Sequence, residues 1–258
     1  MKKVNELIKL PEVKTIFNLF NNNQGIYLVG GCIRDTLSGK EVTDIDFAID
    51  IDPEEVVKTL SNNNIKFYDI GINYGTVTAV IDSKNYEITS LREDIETDGR
   101  HAKVKYTSDI KADSLRRDFT INAIYANRDG ELFDFHNGID DIENRNLKFI
   151  GSANDRVKED YLRILRYFRF YADFSNFEID ANLKKVFKEG SKNFSKISKE
   201  RIWTELKKII NQNNSFKSLS MMNEANILIE ISKDISFNKD YLKISYIENK
   251  INKPIDDL

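Results

Sequence analysis

Apolar residues recur at helical spacing near the start of the chain, at Val4, Leu7 and Ile8 and again at Val13, Ile16, Phe17 and Phe20, with Pro11 breaking the run. This pattern predicts a helix interrupted at Pro11 over 3–22, stopped by the polar stretch Asn21-Asn22-Asn23-Gln24-Gly25. The period then changes. Residues 26–29 are a short apolar run of strand type, Gly30-Gly31 turns into a helix that stops at Gly39, and 43–50 reads as the next strand. Asp52-Pro53 opens a further helix, with an N-cap and a proline at its first position. Residues 75–81 and 86–91 read as paired strands joined by polar turn residues at 82–85. The polar segment 92–113 has few apolar anchors, is too long for an ordinary connection, and is expected to be a mobile functional loop. Residues 116–127 suit a helix leading to a strand, 130–138 a turn-rich connection and 139–144 a short helix. After Asn154 the strand pattern disappears, and 155–174, 182–188 and 199–211 read as helices. Strands with helices first and helices alone afterwards predict an α+β head domain over 1–150 and an all-helical part over 151–258.

Composition narrows the function classes. The 258 residues suffice for a sizeable core and one or two domains. The single Cys32 excludes an internal disulfide and a cysteine-based zinc site, and a buried thiol is the simpler reading of it than a nucleophile. Two histidines, His101 and His136, rule against a histidine-rich metal centre. No apolar run reaches membrane-spanning length and no signal-type apolar core follows the N-terminus, so a cytoplasmic protein is expected. The net charge of −3 hides an asymmetry, since 151–217 carries 15 Lys/Arg against 9 Asp/Glu, whereas the first 150 residues are acidic. An acidic front that can hold metal thus joins a basic middle that can meet a polyanion; unequally charged solvated helix faces account for the same arithmetic.

The candidate chemistry centres on Tyr27-Leu28-Val29-Gly30-Gly31-Cys32-Ile33-Arg34-Asp35 followed by Asp44-Ile45-Asp46-Phe47. Alternate residues of a strand share a face, so Asp44 and Asp46 are expected side by side. Paired carboxylates beside a glycine turn at a helix start suit a divalent cation and phosphates, and Arg34 stands within reach of a phosphate. A plain turn next to a solvated Asp-x-Asp is the alternative. Glu87, on the strand expected beside the carboxylate strand, is either a third acidic contributor or a partner for a nearby arginine.

A second constellation is Leu115-Arg116-Arg117-Asp118-Phe119-Thr120-Ile121-Asn122-Ala123, where two arginines beside an aspartate offer a phosphate clamp and an acceptor for a ribose hydroxyl, or an internal ion pair. A third is Glu159-Asp160-Tyr161-Leu162-Arg163-Ile164-Leu165-Arg166, continuing to Arg169 and Phe170. Asp160 and Arg163 are expected at i, i+3 on one helix face, able to pair with a base edge or with each other. Leu162, Leu165 and Phe168 read as core, and Arg166 and Arg169 line an RNA path or are solvated.

Together these stretches resemble the class II tRNA nucleotidyltransferase/poly(A) polymerase family. The likeness extends to 87–102, similar to the family's flexible loop except that Ala102 stands where the family often has proline, and to 130–142 and 198–206. It runs from about 26 to 210. It implies a polymerase-beta-like nucleotidyltransferase head with a mixed sheet of about five strands, then an all-helical neck and partial body. It further implies that Asp44 and Asp46 bind two Mg²⁺ ions, that Gly30, Gly31 and Arg34 hold the triphosphate, and that Arg117 and Asp118 contact the nucleotide's sugar and phosphates. Asp160 and Arg163, with Arg166 among the nucleotide-binding residues, become the amino-acid template that selects CTP and ATP. Arg92 and Arg100 are expected to position triphosphate or loop, and the Glu200-Arg201…Glu205 pattern is expected to be structural. The implied activity is CCA addition to tRNA 3′ ends with release of pyrophosphate. A poly(A) polymerase, a CC-only or an A-only enzyme stays open within the family, and a truncated, non-catalytic RNA- or nucleotide-binding module outside it. A small-molecule nucleotidyltransferase is disfavoured, because the serine such enzymes carry close before the Asp-x-Asp is absent. About 50 residues follow the neck, fewer than family members usually have, with 227–231 read as the start of a body helix and 254–258 offering no closing element.

Overall fold

The computed structural model describes residues 2–21, 24–97, 102–212 and 214–232. The chain divides into two compact units, one comprising 1–144 with 148–150 and the other 145–147 with the described residues from Gly151 onward.

In the first unit, Pro11 separates α1 (Lys2–Ile8) from α2 (Pro11–Leu19), occupying the first position of α2, where no intrahelical N–H bond is lost. Strand β1 (Ile26–Val29) runs into α3 (Gly31–Ser38), then β2 (Asp46–Ile49), α4 (Pro53–Asn62), β3 (Lys66–Tyr68), β4 (Thr76–Ile81) and β5 (Lys84–Ser90). There follow β6 (Arg92–Thr97), β7 (Ala102–Tyr106), α5 (Ile110–Leu115), a 3₁₀ turn at Thr120–Asn122, β8 (Ile124–Ala126), β9 (Leu132–Asp134) and α6 (Gly138–Glu143). The main sheet is mixed and has seven strands, in the order β3-β4-β5-β2-β1-β8-β9. Two of them, β3 and β9, are absent from the sequence reading; each has three residues, too few for alternation to register. Only β2 and β5 pair in parallel, a geometry that requires the crossover through α4, β3 and β4.

One register row positions the site. Glu87 lies opposite Asp46, Asp46 opposite Val29, and Val29 opposite Tyr125. Directly opposed residues share a face, so carboxylates and a tyrosine sit along one row of one surface. That surface also carries an apolar cluster of Val29, Ala48, Leu91 and Tyr125, with Tyr27, Ile110 and Phe133 packed against it. Phe47, Ile49, Leu28 and Ile88 project the other way and are fully buried. Phe17 of α2 meets Phe47 edge-on, with centroids 5.6 Å apart.

Three expectations need correction. Strand β2 begins at Asp46, and 40–45 has no regular structure, so Asp44 precedes the strand instead of alternating along it. The described residues of 92–113 are not a loop: β6 and β7 pair antiparallel, with a register shift between Asp94 and Glu96, and α5 follows. The two strands form a sheet of their own, separate from the main one, and so need not carry the one-sided apolar alternation of a strand packed on the core. Asp98, Arg100 and His101 lie outside the described residues. The helix expected within 116–127 ends earlier, at Leu115, and the segment continues as the 3₁₀ turn.

The second unit is helical: α7 (Ala153–Glu159), α8 (Leu162–Phe174), α9 (Ala181–Ser191), a 3₁₀ turn at Phe194–Lys196, α10 (Lys199–Ile210), α11 (Ser215–Glu224) and α12 (Ile227–Ile231). The single helix expected over 155–174 is two, broken at Asp160, whose backbone is extended (φ −150°, ψ 108°). Helix α8 supplies the core: Tyr167 and Phe168 pack on Phe187 of α9 at 4.9 and 5.4 Å between centroids. Gly190 lets α9 approach the α7–α8 junction, because a Cβ there would lie 2.5 Å from Val157 Cγ1 and 2.9 Å from Ile164 Cδ1. No helix among the described residues is long and apolar enough to cross a membrane. Residues 254–258 lie outside the described residues.

Phe47 is fully buried beneath the row that carries Asp46. Phe47→Ala is expected to lower the unfolding free energy by about 3–5 kcal/mol in a urea titration; a loss below about 1 kcal/mol would show that the ring is not a core element.

Candidate active site

Gly30 joins β1 to α3 with φ 75° and ψ −125°, a conformation that a side chain would strain. The turn sits against the carboxylate row, since Val29, the residue before it, is the register partner of Asp46. Asp44 is exposed and Asp46 half-buried. Burial, then the charges of Glu87 and Asp44, push the Asp46 carboxyl up to about 6 against the opposing pull of Arg117 and Arg34. A half-buried carboxylate repelled by two others is relieved by a cation. Among the described residues no three His, Cys, Asp or Glu side chains are grouped to hold an ion alone. A Mg²⁺ site of one or two carboxylates completed by phosphate and water oxygens fits this arrangement. Cys32 is no nucleophile: it is fully buried, donates to the Val29 carbonyl, and burial pushes its thiol up to about 12.

Arg34 lies one turn into α3. Its Nε and Nη2 donate to the two carboxylate oxygens of Asp35 at 2.9 and 2.7 Å, and its Nη1 donates to Asn122 Oδ1 at 2.7 Å. Asn122 in turn donates to Asp118 Oδ1 at 3.0 Å, an oxygen that also accepts the Phe119 N–H at 2.9 Å. Arg34 and Asp118, far apart in sequence, are therefore linked through one amide. Asp118 is buried, and its contacts fix the start of the 3₁₀ turn.

Asp113 organises the arginine pair. Its Oδ1 accepts Arg116 Nε at 2.8 Å and the Arg92 backbone N–H at 3.1 Å. Its Oδ2 accepts the Tyr125 hydroxyl at 2.6 Å and Arg117 Nη2 at 3.1 Å. Burial alone would raise this carboxyl, but the guanidiniums of Arg117 and Arg116 and hydrogen bonds from Tyr125 and Arg116 outweigh it and hold it down to about 2. Asp113, Tyr125 and Asn122 are absent from the sequence-derived site. The one available signal was spacing: Asp113 stands three and four residues before Arg116 and Arg117, the separation of neighbours on a helix face.

In the second unit Asp160 and Arg163 do not share a helix face as expected, because Asp160 stands in the break before α8, and the alternative of an ion pair between them is not formed either. Asp160 Oδ1 accepts the Leu162 N–H at 3.0 Å and so caps α8, while Oδ2 accepts Arg201 Nη2 at 2.7 Å. Arg163 pairs with Glu159 and donates to the Arg156 carbonyl at 3.0 Å, and Arg156 holds the same Glu159 at 2.8 Å. Arg166 and Arg169 are not simply solvated: both are half-buried and face the buried Glu205, at 3.9 and 3.1 Å. Arg201 and Glu205 thus tie α10 to the α7–α8 junction and to α8.

The depressed Asp113 carboxyl lies below its ordinary value of 3.8, so its ion pairs contribute stability that is complete above that value and lost as pH falls toward 2. Asp113→Asn is expected to cost about 3 kcal/mol near neutral pH by removing the buried charge that the half-buried guanidiniums of Arg116 and Arg117 face. The gap from the parent protein should narrow by about 2 kcal/mol in urea titrations between about pH 4 and pH 2; a gap independent of pH would refute the assignment.

Comparison with known proteins agrees with this architecture. The family described as "Poly A polymerase head domain" matches residues 26–148, and that described as "Probable RNA and SrmB- binding site of polymerase A" matches 176–237. The CCA tRNA nucleotidyltransferase 1, mitochondrial, of Danio rerio is 40% identical over 229 residues, covering 84% of this chain and 53% of the relative. The CCA-adding enzyme of Streptococcus gordonii is 38% identical over 186 residues, covering 71% of this chain and 45% of the relative. The crystal structure of the Bacillus stearothermophilus CCA-adding enzyme in complex with CTP has a TM-score of 0.73 at 28% identity, covering 84% of this chain and 53% of that one. The chain spans about half the length of the curated relatives it matches. With the glycine turn, the carboxylate row and the arginine–aspartate segment on one fold, the chain belongs to the tRNA nucleotidyltransferase/poly(A) polymerase family.

Proposed function

We propose that this chain carries the head and neck of a template-independent nucleotidyltransferase that attaches CTP and ATP to the 3′ end of tRNA as CCA, releasing pyrophosphate. The observation that carries the reading is the register row, in which Asp46 is flanked by Glu87 on one side and by the strand leading into the Gly30 turn on the other. In this reading 1–150 is the catalytic head and 151–258 the RNA-binding helical part. Asp44 and Asp46 hold two Mg²⁺ ions, with Glu87 adding negative charge beside them. When bound, the ions supply neutralisation of the triphosphate and activation of the tRNA 3′-hydroxyl. The Gly30-Gly31 turn and the arginines Arg34 and Arg117 orient the triphosphate, and Asp118 accepts from the ribose. Asp160 and Arg163 select the base, aided by Arg166, and exchange their partners Arg201 and Glu159 for its hydrogen-bonding edge. The basic face of the helical unit meets the RNA backbone. A location in the cytoplasm goes with this reading.

The decisive assay supplies tRNA ending at the discriminator base with CTP and ATP, together and separately, and reads product length. Addition of C, C and A supports the proposal. Addition of C alone, of A alone, or of a long A tail assigns a CC-adding, A-adding or poly(A) enzyme, and RNA binding without incorporation assigns a non-catalytic module. In the same assay Asp44→Ala and Asp46→Asn are each expected to lower incorporation at least about 100-fold while nucleotide binding partly survives. Appreciable incorporation by either variant would sink the mechanism. Asp160→Ala should instead narrow the preference between CTP and ATP and competing nucleotides by about tenfold or more, measured as ratios of kcat/KM. Unchanged ratios would remove Asp160 from base selection.

A further inference from the structure

The contacts of Arg117 use one edge of its guanidinium. Nε donates to the Tyr125 hydroxyl oxygen at 2.8 Å and more weakly to Asp113 Oδ2 at 3.3 Å, and Nη2 donates to the same carboxylate oxygen at 3.1 Å. The Tyr125 hydroxyl in turn donates a hydrogen bond to Asp113 Oδ2 at 2.6 Å, which closes a three-membered network, and the guanidinium carbon stands 5.1 Å from the Tyr125 ring centroid. Nη1 has no hydrogen-bond acceptor among the described residues. It lies 3.5 Å from where a Cβ would stand on Gly30, the residue that caps α3. The donor that the network leaves over is therefore beside the glycine turn.

The geometry points to Asp113 and Tyr125 as positioning residues, which hold the Nε–Nη2 edge of Arg117 so that Nη1 is aimed into the Gly30 turn at the polyphosphate of a nucleotide. This rests on the proposed function, in which Arg117 contacts the incoming nucleotide. A flexible arginine loses its rotamer freedom on meeting a ligand; one clamped on one edge and against a ring has lost it beforehand. The hydroxyl and the carboxylate hold one edge of the guanidinium and the ring lies against it, and neither residue needs to touch the ligand. Asp113 also accepts the N–H of Arg92, the first residue of the β6–β7 hairpin, so the base of the hairpin is fixed to the same carboxylate that aims the arginine.

The test is a double-mutant cycle in equilibrium binding of CTP with Mg²⁺ and of inorganic tripolyphosphate, alongside KM and kcat for incorporation. Tyr125→Phe removes one hydroxyl and keeps the ring. It is expected to weaken both ligands about tenfold and to raise KM for CTP more than it lowers kcat. In an Arg117→Lys background the same change should have less than about a twofold effect, because Tyr125 acts only through the guanidinium. Additive losses across the cycle, or CTP affinity of Tyr125→Phe within about twofold of the parent, would overturn the inference. Should Tyr125→Phe not fold, Asp113→Glu carries the same cycle, and failure of both to fold would make the network purely a fold element and overturn it too. A parent protein that binds neither CTP nor tripolyphosphate overturns the proposed function itself, a result read before any variant is made.

Discussion

A charge withdrawn from water persists in ionised form only where opposite charge and hydrogen bonds replace its hydration. At Asp113 that condition is met by two guanidiniums, a phenol and a backbone N–H converging on one nearly inaccessible carboxylate. Much of the first unit's polar geometry follows. The carboxylate holds the first residue of β6 and orients Arg117, and through Arg117 it sets part of the positive potential felt by Asp46. Asp46 lies in the opposite regime: its neighbours Glu87 and Asp44 share its sign, and the two arginines only partly compensate. One carboxylate is saturated by the protein while the other is left in deficit, and it is the deficit that invites a cation from outside.

The parts of this design that are local in sequence were legible there. Gly30-Gly31 and Asp44-Ile45-Asp46 announce themselves because a turn, a helix start and two carboxylates lie within a short stretch, and 116–123 does so for the same reason. What was not legible depends on long-range closure. Tyr125 reads as one more strand aromatic until β8 pairs with β1 and brings its hydroxyl to Asp113. Asn122 gains its role only when Arg34, 88 residues away, reaches it. Asp160 misled for a different reason: helical periodicity continues on both sides of it, and nothing in the apolar pattern records that its carboxylate prefers to cap α8.

The charge arithmetic of the helical unit also changes once partners are known. Five of its arginines turn toward carboxylates, with Arg156 and Arg163 sharing Glu159, Arg166 and Arg169 sharing Glu205, and Arg201 holding Asp160. Lys185, Lys188, Lys199 and Lys207 are exposed instead. Rigid, forked cations thus organise the interior, while mobile, strongly hydrated ones are left to the solvent-facing surface. A polyanion approaching this unit meets lysine ammonium groups, which attract without imposing a fixed geometry.

Gly190 gives the second unit a dimension of its own. Helix α9 lies so near Val157 and Ile164 that a single methyl group has nowhere to go. Those two residues flank the break at Asp160, so the spacing between helices is set by a hydrogen atom standing in for a side chain. A methyl group at Gly190 would press on side chains on either side of the carboxylate proposed to choose between bases, so helix packing reaches the neighbourhood of that group through a clearance smaller than one carbon.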